Sequence, residues 1–569
     1  MKVRTGSNPV PPHRRRDWRL RKSRACRCAA ICALLAAAGG AAAVSVRAWQ
    51  SDRGDGSFAN PPLSADYPDP DVIRVGDDFY WIATTFVNTP GLTVLHSRDL
   101  VNWEIVSHVI VRLDGRKEYD LTGGTAYRSG NFAASLRYRH GTFYVAVTPV
   151  GQHTRIYSAT DIRGPWECRE LDRSAFDPGL FLAADGTAYV ATAGGWDGTI
   201  TLLQLDPGMT KVVAERKIHY VAGAEGSKLV QRGDWYYLFN SIPAKLALTV
   251  SRARSLFGPW ETRPQIDDRT GGHQGAVVEL ADGAWYGFVM CDRGPIGRVT
   301  QFSPVFWRDD WPVWGRPDRP GLVPAVARKP IQGQAVRQPA TSDEFDSPTL
   351  GGQWQWNHNP DDRRWSLGER AGFLRLHPAP AAEFWDARNT LTQKGQGPWS
   401  RGVVKLDLRH LAAGTTCGFG TLGKISAHLA VVCAGDGRRY LTMKVRNDGV
   451  GTDVRVRAQP IAAQDLWLQT AMDFDRRTGR CAYSTDGVNW TGLGGDFPLA
   501  YDWRTGTFQG EQYAIFCYSE REVGGWVDVD WFHFSDRPDG PAAPAGLPAR
   551  QGAVAGDLSD ARFTPRPSR

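Results

Sequence analysis

A short pattern occurs five times in the first half of the chain, and it constrains the fold more than any other feature. Each copy is a turn containing Gly or Asp, followed by a stretch in which aromatic and apolar residues alternate. A turn of this kind before a period-2 stretch predicts a β-hairpin. The copies are Val75–Ala83, Arg139–Val147, Ala184–Thr192, Arg232–Phe239 and Ala281–Val289, with aligned tyrosines at Tyr80, Tyr144, Tyr189, Tyr237 and Tyr286.

A second element, which ends in Trp-Glu, recurs later in three of these repeats. Its copies are Ser97–Glu104, Ala159–Glu167 and Ser255–Glu261. The repeats are spaced by about 45–65 residues, which leaves room for about four strands in each. Five such units predict a five-bladed β-propeller, which we assign to residues 58–318.

The remaining sequence predicts a second β-domain. At 569 residues the chain is too long for one compact core. Residues 319–340 are rich in Pro, Gly and Arg, which is typical of a linker. Many short alternating strands over residues 341–537 predict a β-sandwich, whereas the composition of residues 538–569 favours disorder. The predicted fold class is therefore all-β, a propeller followed by a sandwich.

The first 48 residues resemble an export signal. They contain 11 Lys and Arg and one acidic residue, and the basic stretch precedes the apolar run Ala29–Val46. Without them the chain carries 57 basic and 59 acidic residues, a net charge of −2. We therefore predict export to the periplasm or the outside of the cell, no stable membrane insertion after cleavage, and no nucleic-acid partner.

Six cysteines lie outside this leader, and none has the spacing of metal ligands. Export permits disulfides, so Cys417 and Cys433 form a candidate pair.

Three carboxylates stand just before the hairpins of three different repeats. Asp69 lies between two prolines, Asp177 precedes a proline, and Glu225 precedes a glycine. Singly, each would be interpreted as a turn residue. Three acids at equivalent places in three blades instead indicate one shared pocket, because the innermost strands of a propeller line its axis.

Such a set of acids suits the cleavage of glycosidic bonds. This reaction needs one carboxylic acid to protonate the leaving oxygen and one carboxylate to activate water or attack the sugar. The pKa of the acid must be raised, and a neighbouring carboxylate can raise it by like-charge repulsion. We expect Asp177 to do so for Glu225.

In these motifs the chain resembles glycoside hydrolase family 43, the β-xylosidase and α-L-arabinofuranosidase group. The matching segments are Asn60–Asp71, Leu95–Trp103, Phe176–Phe181, Glu225–Leu229, Gly272–Ala276 and Asp292–Arg298. The resemblance implies an inverting, exo-acting enzyme that releases xylose or arabinose from xylan- or arabinan-derived oligosaccharides. It also implies Asp69 as general base, Asp177 as pKa modulator and Glu225 as general acid.

The resemblance extends to further residues of the predicted pocket. Arg298 matches an arginine that contacts sugar hydroxyls, and His273 matches a histidine often tied to a bound calcium. Phe86 and Phe132 are predicted to contact substrate. Family members often have Trp-Ala-Pro where this chain has Phe-Ala-Ala at 132–134, which affects the identity of the sugar rather than the reaction.

The second domain resembles the concanavalin-like C-terminal module of the same enzymes, through Trp354–Pro360 and Phe516–Asp530. Glu344 and Asp530 are candidate ligands of a structural calcium there, because calcium prefers oxygen donors. The chemistry itself requires no cofactor. We also expect this domain to complete the mouth of the pocket, since the linker is stiff and the domain is rich in tryptophan, including Trp354, Trp356, Trp503 and Trp526.

Two alternatives remain open from the residues alone. A retaining, fructan-type propeller hydrolase would carry Asn-Asp-Pro-Asn-Gly at the first acid and Glu-Cys at the acid/base, unlike Asp69 and Glu225 here. A non-catalytic sugar-binding propeller would lack one of the three carboxylates, and all three are present.

Overall fold

The computed structural model describes residues 49–194, 197–266, 272–447 and 453–536. Five antiparallel sheets form the five predicted blades, and the strands of each blade follow one another in chain order. Blade 1 contains Asp71–Val75, Asp78–Ala83, Gly91–Ser97 and Glu104–Ile110; blade 2 contains Ser135–Arg139, Thr142–Val147, Arg155–Ala159 and Glu167–Glu170; blade 3 contains Gly179–Leu182, Ala188–Ala193, Thr199–Leu205 and Val212–Tyr220; blade 4 contains Glu225–Arg232, Trp235–Ile242, Ala247–Ala253 and Glu261–Ile266; blade 5 contains His273–Glu279, Trp285–Asp292, Arg298–Arg308, Trp311–Arg316 and Arg319–Pro320.

The five repeats of the sequence are the hairpins between the first and second strands of the blades. Each aligned tyrosine is the second or third residue of the second strand. The Trp-Glu elements connect the third and fourth strands of blades 1, 2 and 4. The all-β fold class and the five-bladed propeller are therefore confirmed.

Two segments close the propeller, one before the first blade in the chain and one after the last. Ser57–Ala59 pairs with Val326–Arg328, which follows blade 5. The side chain of Asn60 donates to the carbonyls of Phe302 and Pro324 at 2.7 and 2.8 Å. These contacts tie the start of the propeller to its last blade.

The second domain consists of two layers around one apolar core, antiparallel except where Ala379–Pro380 pairs with Gln512–Ser519. One sheet contains, in spatial order, Asp453–Pro460, Arg439–Asn447, Ile425–Cys433, Thr415–Leu422, Gln512–Ser519, Leu391–Lys394, Gln355–Asn357 and the propeller strand Asn88–Thr89, with Ala379–Pro380 beside Gln512–Ser519. The other contains Trp365–Ser366, Leu374–Leu376, Val527–Ser535, Trp399–Asp407, Asp465–Asp473, Thr478–Ser484 and Thr491–Pro498. Short 3₁₀ turns cover Lys117–Asp120, Pro243–Lys245, Gly294–Ile296, Asp362–Arg364 and Phe384–Asp386.

The two domains share a sheet, because Asn88–Thr89 of the propeller pairs with Gln355–Asn357 of the sandwich. The segment 319–340, predicted as a linker, packs against the propeller rather than running free. Its Lys329 is buried, with Nζ 2.5 Å from Asp52 and 3.1 Å from Asp99. A buried ammonium needs such carboxylate partners, and they fix the segment on blade 1.

The candidate disulfide between Cys417 and Cys433 is absent, since both residues carry free thiols. Cys417 instead lies opposite Cys517 on the neighbouring strand.

The predicted export signal, residues 1–48, and the predicted tail, residues 538–569, lie outside the described residues, and both stay predictions. Within the part of the chain that the structure describes, no helix has the length and apolar character needed to cross a membrane.

Candidate active site

A cavity of about 360 Å³ lies where the first strands of the five blades begin. Every blade contributes a residue to its wall at an equivalent position. Asp69, Ala133 and Asp177 stand two residues before the first strands of blades 1, 2 and 3, whereas Glu225 and His273 begin those of blades 4 and 5. The three acids predicted from the sequence thus lie in one pocket.

Two of these acids are held in an unusual backbone conformation. Asp69 and Asp177 have positive φ angles of 54° and 46°, and each precedes a proline, which normally favours an extended residue. Such conformations persist only where the surroundings impose them, and they are common at functional sites. Asp69 and Asp177 are only 4 % and 6 % exposed, so packing fixes both carboxylates.

A buried polar network beneath the pocket holds the first strands of three blades together. Lys228 donates to the carbonyl of Pro70 at 2.7 Å and lies 3.8 Å from Asp71. Asp71 also accepts from the backbone of Leu136 at 3.0 Å and from Arg137 at 2.8 Å. Because these bonds link blades 1, 2 and 4 next to Asp69 and Glu225, they fix the relative positions of these two acids.

Asp69 and Glu225 have different electrostatic surroundings in the pocket. Arg298 Nη1 lies 3.3 Å from Asp69 Oδ1 and forms an ion pair with it. Burial, and then the negative charge of Asp69, raise the pKa of Glu225 to about 7, against the opposing effect of Arg298. One carboxylate is therefore paired with a cation, and another carboxyl group can keep its proton near neutral pH.

The position of Asp177 agrees with the sequence-based expectation, but its electrostatic effect differs. Burial, then the charges of Glu225 and Asp69, raise the pKa of Asp177 well above its usual range, although Gln274 donates to its Oδ2 at 3.1 Å. The charge that raises the pKa of Glu225 belongs to Asp69. Asp177 is thus itself a carboxyl group whose pKa is raised, chiefly by burial, and Asp69 supplies the charge that acts on Glu225.

An aromatic wall faces the acids. Phe86 and Phe132, both predicted to contact substrate, line the cavity with ring centroids 5.7 Å apart. Phe508 packs on both rings at 5.1 and 5.5 Å. The guanidinium carbon of Arg298 lies 4.9 Å from the centre of the Phe86 ring. Apolar walls with a few fixed polar groups are typical of small-molecule pockets.

The second domain supplies part of this wall, as the sequence predicted. Tyr501, Trp503 and Phe508 come from the loop between two sandwich strands and line the same cavity as the acids. Hydrogen bonds hold this loop on the propeller: Gln509 Nε2 donates to the carbonyl of Thr85 at 2.9 Å, and the backbone of Gly510 donates to Asp66 at 3.2 Å.

The other tryptophans named from the sequence have different places. Trp354 and Trp356 are buried in the sandwich core. Trp526 stacks on His410 at 4.5 Å, in a part of the sandwich that does not line the cavity.

Sequence reasoning missed several polar residues of the pocket. Four side-chain atoms in its wall are buried and have no hydrogen-bond partner among the described residues: Gln274 Oε1, Asp292 Oδ1, Arg298 Nε and Tyr501 Oη. Buried polar groups normally have hydrogen-bond partners. Donors and acceptors without a partner in a cavity wall are therefore suited to bind the hydroxyls of a ligand. Gln274 and Asp292 lie inside motifs that were recognised, whereas nothing near Tyr501 in the sequence marks it as a pocket residue.

Two of the three residues proposed as calcium ligands, Glu344 and Asp530, are paired with basic groups. Glu344 lies 2.6 Å from His533, and Asp530 lies 2.6 Å from Lys405. His273 does line the cavity. Across the four described ranges, no group of three or more His, Cys, Asp or Glu side chains could hold a metal ion. Carboxylates already paired with basic groups do not fit a calcium site, so we derive no step through a metal.

The fold and the pocket together define a glycoside hydrolase. Its axial cavity combines a carboxyl group with a pKa near neutrality, an ion-paired carboxylate and an aromatic wall.

The chain belongs to the glycosyl hydrolases family 43, whose family description matches residues 58–312. Residues 342–535 match the β-xylosidase C-terminal concanavalin A-like domain. This family contains inverting, exo-acting hydrolases.

Individual relatives agree with this assignment. A β-xylosidase of Formosa agariphila is 30 % identical over 86 % of this chain and 92 % of its own length. A non-reducing end α-L-arabinofuranosidase of Bacteroides ovatus is 32 % identical over 56 % of this chain and 65 % of its own. The crystal structure of a xylan β-1,4-xylosidase from Bacillus halodurans has 25 % identity and a TM-score of 0.75, and the match covers 84 % of this chain and 99 % of that one.

Proposed function

We propose that the pocket removes single xylose or arabinose units from the non-reducing ends of xylan-derived chains, with Asp69 as general base and Glu225 as general acid. The observation that carries this proposal is the convergence of Asp69, Asp177 and Glu225 in one cavity, where the pKa of Glu225 is raised to about 7. The β-xylosidase of Formosa agariphila, which matches across both domains, makes a β-xyloside the first substrate to test.

In the proposed reaction, the Asp69 carboxylate takes a proton from water as the water oxygen bonds to the anomeric carbon. The bond from that carbon to the leaving oxygen breaks on the opposite face, and Glu225 gives its proton to this oxygen. The anomeric configuration inverts, and proton exchange with solvent restores both groups.

The remaining pocket residues have supporting roles in this proposal. Asp177, whose pKa is also raised, lies beside the sugar and orients it. Arg298 pairs with Asp69 and presents Nε to a hydroxyl, while Phe86, Phe132 and Phe508 pack against apolar faces of the ring. Tyr501 and Trp503 narrow the mouth, which favours terminal sugars over internal ones.

Purified protein is expected to hydrolyse nitrophenyl β-D-xylopyranoside or nitrophenyl α-L-arabinofuranoside, with kcat/KM falling as the pH rises through about 7. The descending limb follows from Glu225, because the acid is active only while protonated and its raised pKa keeps it protonated up to that pH. The pH dependence of kcat/KM on both substrates measures this.

Activity on fructans with no activity on either pentoside would favour the fructan-type alternative. Sugar binding without hydrolysis of any glycoside would favour a non-catalytic propeller. A descending limb near pH 4.5 would contradict the role given to Glu225.

Asp292 is expected to determine which hydroxyl of the terminal sugar is recognised. Its Oδ1 is buried in the pocket wall and has no hydrogen-bond partner among the described residues. A sugar hydroxyl can therefore donate a charge-assisted hydrogen bond to it. D292A should lower kcat/KM by about 10- to 100-fold, and D292N, which keeps an acceptor, should lower it less. D318A removes an exposed carboxylate of the same blade that pairs with Arg316, and it should leave kcat/KM unchanged.

Substrates lacking one hydroxyl identify the contact. The deoxy-xyloside that lacks the bonded hydroxyl should lose no further activity in D292A, because the two changes remove the same interaction. If D292A lowers the activity on every deoxy-xyloside by the same factor, Asp292 does not contact a hydroxyl.

A further inference from the structure

A second cavity of about 360 Å³ lies beside the mouth of the active-site pocket. Arg128 lines both cavities, and Arg504 of the second cavity follows Trp503 of the pocket in the chain. We name the second cavity the side cleft. The propeller contributes Tyr127 and Arg128 to it, whereas the sandwich contributes the opposite side.

The charged groups of the side cleft are unequally paired. Arg446 is neutralised by Glu383, whose Oε1 lies 2.6 Å from Arg446 Nη1. Arg504 stacks over Trp503 at 4.5 Å and is 69 % exposed, and the one carboxylate of the described residues within ion-pair distance of it is that of Asp502, at 3.9 Å.

The Arg128 guanidinium stacks over the Phe508 ring at 5.0 Å. No carboxylate of the described residues lies within ion-pair distance of it. The carboxylate of Asp386 also faces the side cleft and has no ion-pair partner among those residues. The cleft therefore presents two available guanidinium groups and one available carboxylate.

We propose that the side cleft binds a uronic acid carried by the sugar chain next to the unit that is removed. Arg128 and Arg504 bind its carboxylate, because guanidinium groups bind carboxylates through parallel, charge-assisted hydrogen bonds. Asp386 accepts hydrogen bonds from its hydroxyls. This inference rests on the proposed function, since the active-site pocket must hold the terminal sugar.

A uronic acid suits this combination better than a simple anion or a neutral sugar. A phosphate dianion would use the two arginines, but Asp386 would repel it more strongly than a carboxylate with a single charge. A neutral sugar would use Asp386 but would leave Arg128 without a charged partner. A ligand with a carboxylate and hydroxyl donors satisfies both kinds of group, and the shared wall at Arg128 places such a ligand beside the active-site mouth.

The first test compares kcat/KM for xylotriose and for a xylo-oligosaccharide of equal length with a glucuronic acid branch. The wild-type enzyme should prefer the branched, acidic substrate. R128Q and R504Q should each lower the ratio of acidic to neutral kcat/KM by about three- to tenfold, the range for partly exposed charge-assisted bonds. R53Q removes an exposed arginine near the start of the described chain and should leave the ratio unchanged.

Equal loss on both substrates in R128Q and R504Q would mean that these arginines only support the wall, and the proposal would fail. It would also fail if the wild-type enzyme showed no preference for the acidic substrate.

The second test measures binding without catalysis. Full-length E225A is titrated calorimetrically with glucuronic acid, with xylose and with inorganic phosphate at low and high salt. Glucuronic acid should bind more tightly than phosphate, with affinity reduced by salt and by R128Q. Phosphate binding as tight as glucuronic acid would indicate a general anion site and overturn the inference. If the protein hydrolysed no glycoside but still bound glucuronic acid through Arg128, the proposed function would fail while the cleft assignment would stand.

Discussion

Replacing Asp69 with alanine is expected to abolish hydrolysis of every glycoside that the enzyme accepts, with a loss of about 10⁴-fold in kcat. The reason is positional: alanine leaves no carboxylate at the place in blade 1 from which Asp69 is proposed to activate the water. E225A should lose about 10²- to 10⁴-fold on xylobiose, whose leaving group needs protonation, but far less on a nitrophenyl glycoside. Steady-state rates on the two substrates measure the difference.

The control for these variants is E279A. Glu279 is an exposed acid at the far end of the first strand of blade 5, and its removal should change neither rate. If D69A and E225A lose both substrate types by the same factor, the roles of acid and base are wrongly assigned.

Removing the sandwich should lower kcat/KM by more than about 10²-fold, because small misplacements at a reacting centre already cost that much. A chain ending near Arg337 loses Tyr501, Trp503 and Phe508 from the pocket wall. It also loses the backbone donor of Gly510 that holds Asp66, whose other oxygen accepts from the backbone of Arg298 at 2.7 Å. Activity and circular dichroism of the truncated chain test this.

Point variants of the full chain distinguish a lost pocket wall from a lost fold. F508A should raise KM for short xylo-oligosaccharides, since it removes the ring that packs on Phe86 and Phe132. W526A removes a large sandwich side chain outside the pocket and should leave KM unchanged. A folded, truncated propeller with unaltered activity and substrate preference would show that the sandwich is an independent module.

Much of the fold could be predicted because it repeats. Five hairpins with aligned tyrosines identify five blades, and strand alternation leaves few other arrangements for them. The acids could be placed for the same reason. Since Asp69, Asp177 and Glu225 stand at equivalent positions before or at the first strands, the symmetry of the fold brings them to the axis.

Other features depend on tertiary contacts that no local pattern encodes. Tyr501 and Phe508 reach the pocket from a different domain, across hundreds of residues. The segment 319–340 has the composition of a linker, yet the buried ion pairs of Lys329 hold it on the propeller. Oxygen donors such as Glu344 and Asp530 suit calcium by type, but their neighbours His533 and Lys405 are found only in the folded chain.

The cause of the raised pKa of Glu225 also depends on tertiary contacts. The sequence places two other acids near Glu225 but does not say which of them stays charged. In the structure, Asp69 pairs with Arg298 and Asp177 is buried beside Gln274. The negative charge that acts on Glu225 is therefore that of Asp69.

Asp69 and Glu225 are proposed to act on opposite faces of a terminal sugar. Proton NMR of the first sugar released from an aryl β-D-xyloside, recorded before mutarotation, tests this most directly. We expect α-xylose to appear first and β-xylose to accumulate only as the anomers equilibrate. β-Xylose as the first product would mean retention through a covalent intermediate, and it would contradict the assignment of Asp69 as a base that activates water.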